Sequence, residues 1–166
     1  MTLPASGAIS FNAINVELGV AGATQASLGQ TSYRNLAGVA SGQISMSNFY
    51  GKANRFAFSI DGGNNVNLRT AAVNAGWNQA SQDVATITAN VGSTSTGTAA
   101  MTIAGSFPGG LAVVINSGVS ISGRGGNGGN GNNVGAAGGL ALSVSSAVTV
   151  TNNGVVAGGG GGGGGG

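Results

Sequence analysis

The chain has no cysteine and no histidine, and among its 166 residues only five are Lys or Arg and three are Asp or Glu. Without cysteine there is neither a disulfide nor a thiolate metal site, and the redox compartment stays open. Proton transfer and nucleophilic attack need side chains that hold a proton or an electron pair near neutral pH. The three carboxylates are far apart: Glu17 reads as part of a short helix, Asp61 as the start of a turn and Asp83 as part of a polar loop. No catalytic, cofactor-binding or metal-ligating residue is therefore expected, no cofactor, and no enzyme. Charged residues make up 5% of the chain, against roughly 25% in ordinary soluble domains. Arg34, Lys52, Arg55, Arg69 and Arg124 are scattered and make no basic stripe, which argues against nucleic acid as a partner. No apolar run approaches the roughly 20 residues of a membrane span. The N-terminus has neither the basic flank nor the apolar core of a signal peptide, so membrane insertion is not expected.

Glycine and small residues fill the space that charge leaves. There are 35 glycines, and the 41% apolar fraction rests on Ala and Val more than on Leu or aromatics. Three regions follow along the chain. In residues 1–53, ISFNAINVELG reads as a helix that Ser10 caps and Gly19 stops, with Phe11, Ile14 and Leu18 on one face. Ile44-Ser45-Met46-Ser47-Asn48-Phe49 repeats the opening of that segment as a second short helical turn. The stretch between holds mostly small residues, with Tyr33 and Leu36 among its few large apolar side chains, which predicts a thin core in need of a partner. Residues 54–108 read as a small mixed α/β unit. In it, Phe56–Ile60 is a strand ending at the turn Asp61-Gly62-Gly63-Asn64-Asn65, and a short helix lies within Asn65–Trp77. Strands follow at Ala85–Val91 and Ala99–Ala104.

In residues 109–166, Leu111–Val119 is echoed about 36 residues later by Val148–Val156. Each copy is a strand, then Asn-Ser-Gly or Asn-Asn-Gly, then a short strand and a glycine tract. Asn116, Gly118, Asn152 and Gly154 are the expected turn residues, since Asn-Ser-Gly and Asn-Asn-Gly can supply the positive φ that a tight turn demands. Glycine tracts can adopt an extended threefold helix whose backbone groups point sideways, and only bare backbone lets such helices pack closely. The fold class expected is mainly β with short N-terminal helices: a small helical anchoring module, the mixed unit, then strand–turn–polyglycine repeats. Gly123–Gly128 formally fits G-x-G-x-x-G, but more Gly and Asn follow where a dinucleotide fingerprint requires a helix. Arg124 has a carbonyl-capping or partner-contact role as its simplest use. The nine glycines from Gly158 to Gly166 lead to the expectation that the natural chain continues further.

LPASGAISFNAINVELG followed by QISMSNFYGKA resembles a module of tailed-bacteriophage structural proteins. The segment INSGVSISGRGGNGG and the glycine tail resemble the distal adhesins of T-even-like phages and the glycine-rich ends of phage fibre proteins. The resemblance implies a virion tail protein of the fibre, tip or baseplate region. Other phage tail proteins would be its partners, a bacterial surface receptor a further one, and a homo-oligomer, a trimer first, its assembly. Residues 1–53 would dock on the particle, through Ile9, Phe11, Ile14, Ile44, Met46, Phe49 and Tyr50, while glycine helices serve as scaffold. The chain departs from the adhesins in having no aromatic residue after Gly123. A free-standing ice-binding or silk-like polyglycine protein is the alternative from another class.

Overall fold

The computed structural model describes residues 2–79 and 81–165. Residues 2–53 form a helical module around α1 (Phe11–Glu17), α2 (Thr31–Ala37) and a 3-10 turn (Met46–Phe49). Ser10 caps α1, its hydroxyl accepting from the Ala13 amide. Ser45 opens the 3-10 turn with a capping box closed by Asn48, so both Ile-Ser openings do start helical turns. The helix α2 was not anticipated from the small-residue stretch that carries it. It ends on Gly38 in the left-handed conformation, at φ 74°. A small core of Leu3, Ile14, Tyr33, Ala37 and Phe49 holds the module together. Asn15 sits inside it: its amide donates to the carbonyls of Gly22 and Thr24, and its oxygen accepts from the Tyr33 hydroxyl.

The rest of the chain coils into parallel sheets. Strands β1 (Arg55–Asn64), β3 (Gln82–Gly92), β5 (Leu111–Ile115) with β6 (Ser120–Ser122), and β8 (Thr149–Asn152) with β9 (Val155–Ala157) lie over one another in that order. A second, smaller sheet stacks β2 (Val66–Asn67), β4 (Met101–Ile103) and β7 (Leu142–Val144). Every pairing in both sheets is parallel. One helix, α3 (Leu68–Asn74), is capped by Asn67 and follows β2 directly.

Alternation decides which face points inward. In β3 and β5 alternate side chains are buried: Ala85 and Ile87 lie opposite Val113 and Ile115 of β5, and Val91 lies opposite Ile121 of β6. Met101 and Ile103 of the second sheet close the core, together with Leu68 at the start of α3 and Ala141 just before β7. Each of the Leu, Ile, Val and Met side chains contributes roughly 1.5–3 kcal/mol by leaving water. Residues 54–108 and 109–166 both feed this one core. Trp77 lies beside it, stacked on Phe107 at 5.4 Å and donating its ring N–H to the Ser81 carbonyl.

Two local expectations are corrected. Asp61-Gly62-Gly63 is no turn: β1 runs on through it to Asn64, slipping register between Ile60 and Asp61, just before the two glycines, which adopt positive φ. Asp83 does not lie in a loop either, since β3 begins at Gln82 and turns the Asp83 side chain into the interior.

The echo between Leu111–Val119 and Val148–Val156 has a direct structural meaning. The two copies are adjacent layers, pairing Ala112 with Thr149 and Ser120 with Val155. Gly118 has the positive φ expected of it, at 78°. Gly154 does not. Its lack of a side chain serves close approach, because a Cβ there would press on the carbonyls of Val119 and Asn116 in the layer below.

Candidate functional site

Beyond β6 and β9 the chain leaves the sheets as extended, glycine-rich segments. Residues 123–130 run outward, turn at Asn130–Asn133, return over 133–139, and meet 158–165, which runs outward again from β9. Their backbones bond to one another at every third residue. The amides of Gly123, Gly126 and Gly129 donate to the carbonyls of Ala157, Gly160 and Gly163. Those of Ala136 and Gly139 donate to Asn127 and Arg124. Gly159, Gly162 and Gly165 donate in turn to Gly139, Ala136 and Asn133. Each segment thus gives to one neighbour and receives from the other, closing a triangle.

That triangle leaves no room for a side chain. A Cβ added at Gly123, Gly126, Gly129, Gly135, Gly138, Gly159, Gly162 or Gly165 would fall within 3.0 Å of main-chain carbonyl atoms of a facing segment. At Gly160, Gly163 and Gly164 the same atom would meet nothing within 4 Å. The side chains the segments do carry stand at the remaining phases: Arg124, Asn127 and Asn130 on the first segment, Asn133, Val134, Ala136 and Ala137 on the second. Val134 is 90% exposed at the outer turn. At the base, Arg124 donates to the Thr94 carbonyl, and Gly139 lies against Thr96, so the loop above β3 supports the segments. From Gly125 to Gly166 there is no charged residue.

A family model, phage tail fibre adhesin Gp38, matches residues 55–166. The chain belongs to this Gp38 family of phage tail fibre adhesins. It is a component of the virion tail. Neither the curated proteins nor the solved structures contain a significant match. The match covers the stacked sheets and the glycine segments and leaves the helical module outside it.

The residues expected to dock are all in that module, in different settings. Ile14 and Phe49 are wholly buried in its core. Ile9, Ile44 and Met46 pack around that core and are half-buried. Phe11 and Tyr50 are exposed at 37% and 38%, and the Tyr50 hydroxyl donates to the Gly7 carbonyl. Sequence reasoning passed over the second glycine segment, NNVGAAGG, because Ala and Val interrupt it. The signal that finds it is spacing: glycine at 135 and 138 keeps the interval of three seen at 123, 126 and 129.

Three titratable groups are shifted. Burial pushes the Asp83 carboxyl up to about 7, with both oxygens lacking a hydrogen-bond partner. The Thr88 hydroxyl, followed by Ser59, holds the exposed Asp61 below the usual carboxylate range. Burial raises the Tyr33 phenol. The three carboxylates lie on α1, β1 and β3.

Proposed function

We propose that this adhesin anchors to the tail through residues 1–53 and displays its glycine-rich end towards the host, and that its work is binding, not catalysis. The reading rests on one observation: at eight glycines in three segments, backbone lies where a Cβ would have to be. Such segments are polyglycine helices packed side by side, a scaffold whose stiffness comes from main-chain hydrogen bonds in two directions. The turn at Asn130–Asn133, with Val134 beside it, is the outer element that this scaffold presents to a receptor. The bare face around Gly160 and Gly163 suits a further glycine helix, brought by an oligomeric assembly.

In the anchoring module the roles divide. Ile14 and Phe49 keep it folded, while Phe11 and Tyr50 offer the surface a tail protein covers. Replacing Phe11 and Tyr50 together with Ser should leave the isolated protein folded and remove it from particles; full occupancy of the double variant in purified virions defeats the anchoring role. Amide exchange of the assembled protein tests the scaffold: Gly159, Gly162 and Gly165 should exchange slowly, and uniformly fast exchange from 158 to 165 rules the glycine helices out.

A further inference from the structure

Two clefts cross the helical module. One, of about 430 Å3, is lined by Leu36, Asn35, Asn54, Arg55 and Asn78. The other, of about 440 Å3, is lined by Val20, Thr24, Gln25, Gln30 and Thr31. They share Leu18 and Ser32, so they continue into one groove passing the start of α2 and ending where the module meets β1. The floor is aliphatic, from Leu18, Val20 and Leu36. Among the described residues the walls are unspent: the side chains of Gln25, Gln30, Ser32, Asn35 and Arg55 make no hydrogen bond within the chain, although each can donate and all but Arg55 can also accept.

Charge marks one end. Of the module's cations, Arg34 is engaged with the carbonyls of Val39 and Gly42, and the Lys52 ammonium lies near Gly38 at the end of α2. The buried Glu17 carboxylate accepts from the Asn54 amide. Arg55 is exposed, lines the groove, and faces no acidic residue among those lining it.

We propose that this groove is the seat of an extended, acid-bearing peptide segment of a neighbouring tail protein, with Arg55 pairing its carboxylate. Primary-amide side chains suit a peptide backbone, because each can donate an N–H to a backbone carbonyl and accept a backbone N–H at its own carbonyl oxygen. An arginine fork holds a carboxylate through two parallel bonds. A sugar is the poorer fit: the one ring lining the groove, Tyr33, is 2% exposed and shows no face on which to stack. The inference rests on the anchoring role proposed above and adds to it the chemistry of the partner.

The test places a photo-crosslinking amino acid at Ser32 or Asn35 of the full chain in assembled virions, with parallel probes at Phe11 and Tyr50. Expected is a crosslink from the groove to one stretch of another tail protein that holds Asp, Glu or a C-terminal carboxylate. Arg55→Glu should lower incorporation by about tenfold or more, the loss of one charge-assisted pair, while Arg55→Lys retains most of it. Crosslinks from Phe11 or Tyr50 but none from the groove overturn this inference and leave the anchoring role standing. Silence at all four positions overturns both. Groove crosslinks to glycan, to a second copy of this chain or to a segment without an acid also overturn it, as does undiminished incorporation of Arg55→Glu.

Discussion

Asp83 shows how a single carboxyl couples the stack to pH. Its side chain is wholly buried among aliphatic neighbours and has no partner for either oxygen, so the folded chain keeps it protonated to about pH 7. The unfolded chain gives up that proton near pH 3.9. Because the folded value is the higher one, stability falls as pH rises from about 4 to about 7 and stays reduced above that. Asp83→Asn removes the titration. Its melting temperature should match the wild type near pH 4 and exceed it by several degrees at pH 8, as read by calorimetry. Glycine positions split just as sharply. Gly126→Ala forces a methyl onto the Ala136 carbonyl and should cost at least about 2 kcal/mol, whereas Gly160→Ala meets open space and should be neutral or stabilising by up to about 1 kcal/mol. Chemical denaturation of the two variants side by side measures the difference.

Among the elements, those with a local cause were legible in advance. Ser10 and Ser45 cap helical turns because a hydroxyl can satisfy an amide three residues on, and the strands from Ala85 to Ile115 alternate because one face must leave water. The parallel stacking was legible only as the echo between Leu111–Val119 and Val148–Val156, since pairing between strands some 30 residues apart leaves no mark in either strand alone. Asp83 looked like loop because its charge argues against a buried strand; tertiary context outweighed that local preference. Asp61-Gly62-Gly63 looked like a turn for a similar reason, and a register slip within β1 uses it instead. The helix α2 lies in a small-residue stretch whose weak periodicity hid it. Its attachment to α1 depends on Asn15, which ties the Gly22 and Thr24 carbonyls to the Tyr33 hydroxyl. Asn15→Ala strands those groups inside the module and should destabilise it by about 2 kcal/mol, visible as lost helical ellipticity with the Trp77 emission unchanged.

The whole molecule is two cores of unequal size joined at Asn54, whose amide bonds to Glu17 in α1 and whose carbonyl accepts from Gln82 in β3. Among the described residues the module buries five apolar side chains in its cluster and the stack fourteen, so the module is the weaker unit. The single tryptophan, Trp77, belongs to the stack and the helices mostly to the module. In urea, ellipticity at 222 nm should therefore fall at lower concentration than tryptophan emission changes; coincident transitions would show one cooperative unit instead. The glycine segments add a different kind of rigidity, because what meets inside their triangle is main chain alone. Substitutions at one phase in three would wreck the outer end, while those at the phases of Asn127, Asn130 and Val134 touch only its exterior. Given the receptor-facing role proposed above, such a frame separates heritable variation from architecture: a phage could rewrite the outward positions under pressure from a changing host while the backbone contacts beneath stay untouched.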